Sequence, residues 1–198
     1  MTVACDVTDE SSCQSAITGV AAAMGGIDAL VYCPGIGPLR RLVDIDAATW
    51  NRVLSTNVTG AALITAAAVK HLEAAHGAAA YLSSVSASMT PPWPGLGSYA
   101  VSKAALDKLV EAWRAEHPRV NFTRVVVGDC AGGDGDARTE FTSEWDLQLA
   151  GELFPIWTAR GYLSGALMDV EDLVETVDSV LRTRASVPSI TVTPRRPE

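Results

Sequence analysis

Hydrophobic positions along this chain follow two alternating rhythms. Short runs at residues 27–33, 78–85 and 121–127 read as strands, and the first is a continuous apolar strand, the pattern of a parallel strand covered on both faces. Residues 2–6 and 189–193 add a shorter strand at each end. Between the runs, apolar residues recur at helical spacing. They predict a helix over 10–24 capped by Thr8 or Asp9, a long helix over 46–72 capped by Asp46 and passing through Trp50, Val53, Leu54 and Asn57, and a helix from Tyr99 to about residue 116. Asp169 opens a last amphipathic helix with Val170, Leu173, Val174, Val177 and Leu181 on one face. Gly25-Gly26, between a helical stretch and a strand, reads as a helix C-cap. Residues 132–168 show neither rhythm and read as an irregular excursion rich in aromatics, including Phe141, Trp145, Phe154, Trp157 and Tyr162.

Strand and helix alternate without repeat or linker, which predicts one α/β domain over residues 1–198 built on a parallel sheet. Composition sharpens this. With 48% hydrophobic and 19% charged residues the chain has enough apolar surface to fold. Its net charge of −8, without clustered cations beyond Arg40-Arg41 and Arg195-Arg196, argues against a nucleic-acid partner. No uninterrupted membrane-length apolar run occurs, and Asp6, Asp9 and Glu10 stand where a signal peptide needs basic and then apolar residues. A cytoplasmic protein with no membrane partner is expected. Cys5, Cys13, Cys33 and Cys130 show no metal-ligand or Cys-x-x-Cys spacing and read as small buried fillers; no metal site is expected.

The strongest chemical signal is Tyr99 with Lys103. Four residues apart, they share one helix face. An ammonium about 4 Å from a phenol favours the phenolate by roughly 4 kcal/mol at an effective dielectric near 20. That is enough to draw a Tyr from its usual value near 10 toward neutrality, as a general acid/base requires. Upstream, the strand ending in Ser83-Ser84 and the Pro/Gly-rich loop through Pro91, Pro92, Pro94, Gly95 and Gly97 deliver a hydroxyl to the same helix. Ser84 is the expected partner, with Ser86 as an alternative.

Taken together, these residues resemble the short-chain dehydrogenase/reductase family from one end of the chain to the other. Cys5-Asp6-Val7-Thr8-Asp9 resembles the family's adenine-contacting aspartate motif, and Tyr32-Cys33-Pro34-Gly35 stands where the family has an Asn-Asn-Ala-Gly strand end. Asn57-Val58-Thr59-Gly60, Ser83-Ser84 and the Tyr99/Lys103 pair match its remaining landmarks. The resemblance implies a Rossmann-like doubly wound parallel sheet and an oxidoreductase using NAD or NADP on a small apolar alcohol or ketone. Asn57, Ser84, Tyr99 and Lys103 would be catalytic, and Asp6, Val7, Cys33, Pro34, Gly35, Tyr99 and Lys103 would contact the cofactor. Residues 132–168 would be the substrate loop. A homodimer or homotetramer is implied, packed through the 46–72 and Tyr99 helices, with Trp50, Leu106, Leu109, Val110 and Trp113 supplying apolar surface.

Three departures qualify the match. Tyr32-Cys33-Pro34 lacks side-chain amides, and Gly128-Asp129-Cys130 replaces the family's Pro-Gly after the sixth strand. The first βαβ unit, with its glycine-rich phosphate turn, has no counterpart before Asp6. A fragment or misplaced start is therefore expected, and a non-catalytic remnant acting as an oligomer subunit is the alternative.

Overall fold

The computed structural model describes residues 1–133, 139, 141–163 and 165–195. Several of its helices open where the sequence supplies a capping side chain. Helix α1 (Glu10–Met24) opens at Asp9, whose carboxylate accepts the Ser11 and Ser12 N–H groups, and closes at Gly25 with φ 80°, a left-handed turn that suits glycine. Strand β1 (Ala29–Tyr32) follows. Asp46 caps α2 (Ala47–Leu54) through the Thr49 N–H. The helix then continues through a π-helical turn, Ser55–Thr59, into α3 (Gly60–Ala75). Next come β2 (Ala78–Ser84), the short α4 (Val85–Ser88), α5 (Gly97–Glu116) and β3 (Asn121–Val127). Helices α6 (Leu147–Ala159) and α7 (Val170–Arg182) and strand β4 (Ser189–Val192) complete the order.

Among the described residues four strands form one parallel sheet in the order β1-β2-β3-β4. Alternate residues of each strand point to opposite faces. Ala79, Tyr81 and Phe122 meet Ile17 of α1, Leu72 of α3 and Leu106 and Val110 of α5 in one core. Ala80 and Val125 face the other way, onto Leu173 and Val177 of α7. Helices thus cover both faces, the doubly wound arrangement expected. Burying a side chain such as Leu72, Leu106 or Phe122 contributes roughly 2–3 kcal/mol.

Several expectations need correction. Residues 2–6 form no strand, because no ladder partner lies beside them among the described residues; the Asp6 N–H goes instead to Ser12 Oγ at 2.9 Å. The 27–33 strand shortens to β1 and lies at the sheet edge, where Val31 is 38% exposed rather than covered. The 132–168 segment is not irregular throughout, since it contains α6; its residues 134–138, 140 and 164 lie outside the described ones. Asp169 precedes α7 without a side-chain cap bond. On α5, Leu106 and Val110 are fully buried in the chain's own core, and half-buried Leu109 and Trp113 pack against it, so less apolar surface is left for a partner than expected. Nor are the cysteines all buried, because Cys5 and Cys33 are exposed. The 29-residue helical stretch Ala47–Ala75 is apolar and long enough to cross a membrane by composition, yet 44% of its most apolar window is buried within the fold. That burial suits a core helix, which needs apolar residues on several sides.

Candidate active site

The carboxyl ends of β1, β2 and β3 open into a cavity of about 560 Å³. In open α/β sheets, ligands are held at this end. Cys33 and Gly35 follow β1, Ser84 ends β2, and Gly128 follows β3; Tyr99 and Lys103 reach the cavity from α5.

The two α5 residues differ from expectation in their electrostatics. Burial pushes the Tyr99 phenol up to about 12, against the opposing pull of the neighbouring Ser84 hydroxyl. Lys103, 4% exposed, donates from Nζ to the Leu82 carbonyl at 2.7 Å and sits 5.7 Å from the centre of the Tyr99 ring. Burial lowers it to about 8, while Asp107, one turn further along α5, pulls it back up. The expected downward pull of Lys103 on Tyr99 does not set its value here; burial does, and only the Ser84 hydroxyl opposes it. Both groups are desolvated, and desolvation disfavours phenolate and ammonium alike.

Stability depends on pH as a result. The unfolded chain keeps the Lys103 proton to about 10.5, whereas the folded chain gives it up near 8. Below pH 8 the cost of burying the cation is fully present, and it is relieved as pH rises through that window. Relative to Lys103→Met, the native chain is expected to gain stability between pH 8 and about 10, read as urea midpoints; a flat difference across that range overturns the assignment.

Asn57 is fully buried in the π-helical turn, a device that recurs at functional sites because it re-aims one side chain inward. Its Oδ1 accepts the Ile36 N–H at 2.8 Å, and its Nδ2 donates to the Ile36 carbonyl at 2.9 Å and to Ser102 Oγ at 2.8 Å. It thereby clamps the loop that carries Gly35. Ser84 Oγ lies 2.9 Å from Ser86 Oγ and accepts the Ser86 N–H, so both candidate serines stand at the cavity wall with Ser84 beside the phenol.

The roof is aromatic. Phe141 packs edge-on against Tyr99 with ring centres 4.9 Å apart, Trp145 donates from Nε1 to the Gly37 carbonyl, and Trp157 donates to the Pro94 carbonyl. A Cβ at Gly37 would lie 2.3 Å from Phe141, so the glycine is what lets that ring close over Tyr99. Trp93 and Trp157 pack at a tilt close by, ring centres 5.4 Å apart.

Of the residues singled out from sequence, the structure brings Asn57, Ser84, Tyr99, Lys103, Cys33 and Gly35 together. Asp6, Val7 and Pro34 do not line the cavity; the Asp6 carboxylate is turned to the Thr8 N–H and hydroxyl. Sequence reasoning missed the Leu82 carbonyl, Ser102 and Trp93. Ser102 carries a readable signal, since it precedes Lys103 and shares a face with Tyr99; a backbone carbonyl carries none.

The doubly wound sheet with a cavity at its strand ends is the frame on which many α/β proteins hold a ligand. The chain belongs to the short chain dehydrogenase family, whose model matches residues 1–146. It is 30% identical over 189 residues, 93% of this chain and 78% of the relative, to a protein of Xanthobacter autotrophicus named inactive 2-(S)-hydroxypropyl-CoM dehydrogenase 2. It is 35% identical over 109 residues to the cis-4-hydroxycyclohexanecarboxylate dehydrogenase of Sinomonas cyclohexanicum, 54% of this chain but only 43% of that relative. Among solved structures, an alcohol dehydrogenase from Thermococcus sibiricus complexed with 5-hydroxy-NADP superposes with TM-score 0.76 at 19% identity, covering 98% of this chain and 75% of that one. A short-chain dehydrogenase from Streptomyces avermitilis gives TM-score 0.78 at 21% identity, covering 96% and 69%. These two likenesses show the shared fold.

Proposed function

We propose that this protein interconverts an alcohol and its ketone or aldehyde by hydride exchange with NAD or NADP, with Tyr99 as general acid and base. The observation that carries this is the convergence of Ser84, Tyr99 and Lys103 on one aromatic-roofed cavity, with Asn57 buried behind it and holding the loop that carries Gly35. A non-catalytic remnant has no need to keep all four in place.

NAD(P) would supply or accept the hydride when bound. The residues present suit its nicotinamide-ribose end. A Cβ at Gly35 would sit 3.3 Å from Lys103 Nζ and 3.7 Å from Asn57 Oδ1, so the glycine leaves an open slot beside a cationic donor. The pyrophosphate end is not matched. Among the described residues no glycine-rich turn leads a strand into a helix, and the N–H groups opening α1 are already taken by the Asp9 carboxylate, which repels phosphate.

In reduction the Tyr99 hydroxyl donates its proton to the substrate oxygen, and the Ser84 hydroxyl holds that oxygen with a second hydrogen bond. Burial keeps the phenol protonated at neutral pH, which suits the acid role. Lys103 stabilises the phenolate left behind, and its own lowered value lets it pass a proton on near pH 8. Asn57 keeps the Gly35 loop against Lys103. Trp93, Phe141, Trp145 and Trp157 favour an apolar substrate, for which cyclohexanone is a suitable probe. The exposed Val101 and half-buried Trp50 are the apolar residues left on these helices for a homodimer or homotetramer; light scattering at tens of micromolar that finds a monomer overturns this part.

For residues 1–198 taken by themselves, the rate of cyclohexanone reduction is expected to rise in proportion to NADH or NADPH through about 1 mM without saturating. Saturation at micromolar cofactor would show that the account of the cofactor site is wrong. Absence of turnover with both cofactors at that concentration would overturn the functional reading.

A further inference from the structure

We infer that Cys5 and Cys13 are a paired dithiol that closes to an intramolecular disulfide in the presence of a disulfide oxidant, tying the segment before α1 to that helix. Residues 5 and 13 flank a short loop already drawn shut by the Asp6 N–H bond to Ser12 Oγ, 2.9 Å long. Cys13 Sγ lies inside that loop, 3.8 Å from the Asp6 carbonyl oxygen and 3.6 Å from that of Val7. The Cys5 thiol is near enough to Cys13 to oppose its ionisation, and both sulfurs are near enough to the Tyr32 phenol to oppose its ionisation too. The two differ in access: Cys5 is exposed, whereas Cys13 is 1% exposed. An accessible thiol beside a sheltered one is the arrangement of an attacking and a resolving cysteine.

The chemistry balances with oxidised glutathione as the oxidant. The Cys5 thiolate attacks one glutathione sulfur and releases the first glutathione thiol. The Cys13 thiolate then attacks the Cys5 sulfur and releases the second. Each cysteine loses a proton, and the two electrons they give up leave in the two glutathione thiols. The groups facing Cys13 are Cys5, Asp6 and Asp9, with the Tyr32 phenol close by; none is cationic. Together with burial they push Cys13 up to about 11, so its thiolate is scarce at neutral pH and closure accelerates with alkali.

The bridge would fasten a segment that forms no ladder and rests on the fold through Val7, which packs against the main core. This inference does not depend on the proposed function.

The test uses the whole chain. It is incubated with oxidised glutathione, alkylated with iodoacetamide in denaturant and cleaved after Glu10, which separates Cys5 from Cys13 unless they are bridged. The expected result is a linked Cys5–Cys13 peptide pair released by dithiothreitol, with Cys33 and Cys130 alkylated. Closure should run about tenfold faster at pH 8 than at pH 7. In Cys13→Ser, Cys5 should instead stop as the mixed disulfide with glutathione. A native Cys5 that stops at the mixed disulfide, a bridge to Cys33, or closure indifferent to pH overturns the inference.

Discussion

Replacing Tyr99 by Phe is expected to lower ketone reduction by about 10²–10⁴-fold, the range in which a positioned general acid/base contributes. Phe keeps the ring that packs on Phe141 and loses one hydroxyl, so the fold and cavity should persist. Initial rates with cyclohexanone at about 1 mM NAD(P)H measure the loss, and circular dichroism checks that the variant is folded. Undiminished turnover would falsify the role given to this residue. Ser84→Ala should cost more than Ser86→Ala in the same assay, because Ser84 stands beside the phenol and Ser86 behind it.

The second large effect is on stability. Gly77 joins α3 to β2, and a Cβ there would lie 2.2 Å from the backbone oxygen of Asp28, the same oxygen that accepts the Ala78 N–H at 3.0 Å. Neither atom belongs to a flexible side chain, so relief requires moving β1 away from β2. Gly77→Ala is therefore expected to cost about 3 kcal/mol, the upper end of overpacking penalties. For a domain of this size that lowers the thermal midpoint by about 10 °C. Gly151, on α6, has nothing within 4 Å of the point where a Cβ would stand, and serves as the control: Gly151→Ala should leave the midpoint unchanged or raise it slightly. Equal midpoints for Gly77→Ala and the native chain would overturn the argument.

Local signals in the sequence located elements well wherever the element carries its own termination. Helix α1 runs from Glu10 to Met24 as predicted, because Asp9 and Gly25 satisfy its end groups from within the neighbouring residues. Strand β3 and the end of α5 also fall where periodicity put them. Helix α6 had a legible signal that went unread: Asp146 caps it, and Ala150, Leu153 and Trp157 recur on one face, but Pro155 and the crowd of aromatics obscured the rhythm.

Other features depend on partners distant in sequence. Residues 2–6 have strand-like composition, but a strand exists through its ladder, and no neighbour is present among the described residues to form one. Tyr99 and Lys103 could be named from spacing, since they share a helix face by geometry alone, and Ser84 from the strand end before them, whereas Asn57 could be named only through the family resemblance. Their chemistry could not be, because it is set by what surrounds them. The Leu82 carbonyl that holds Lys103, the aromatic roof over Tyr99 and the Ile36 peptide gripped by Asn57 all arrive from other elements. The sequence by itself determined which side chains meet at the ends of the strands. Tertiary packing decided how far they are withdrawn from water, and burial turns the Tyr99 shift upward, opposite to the expected direction.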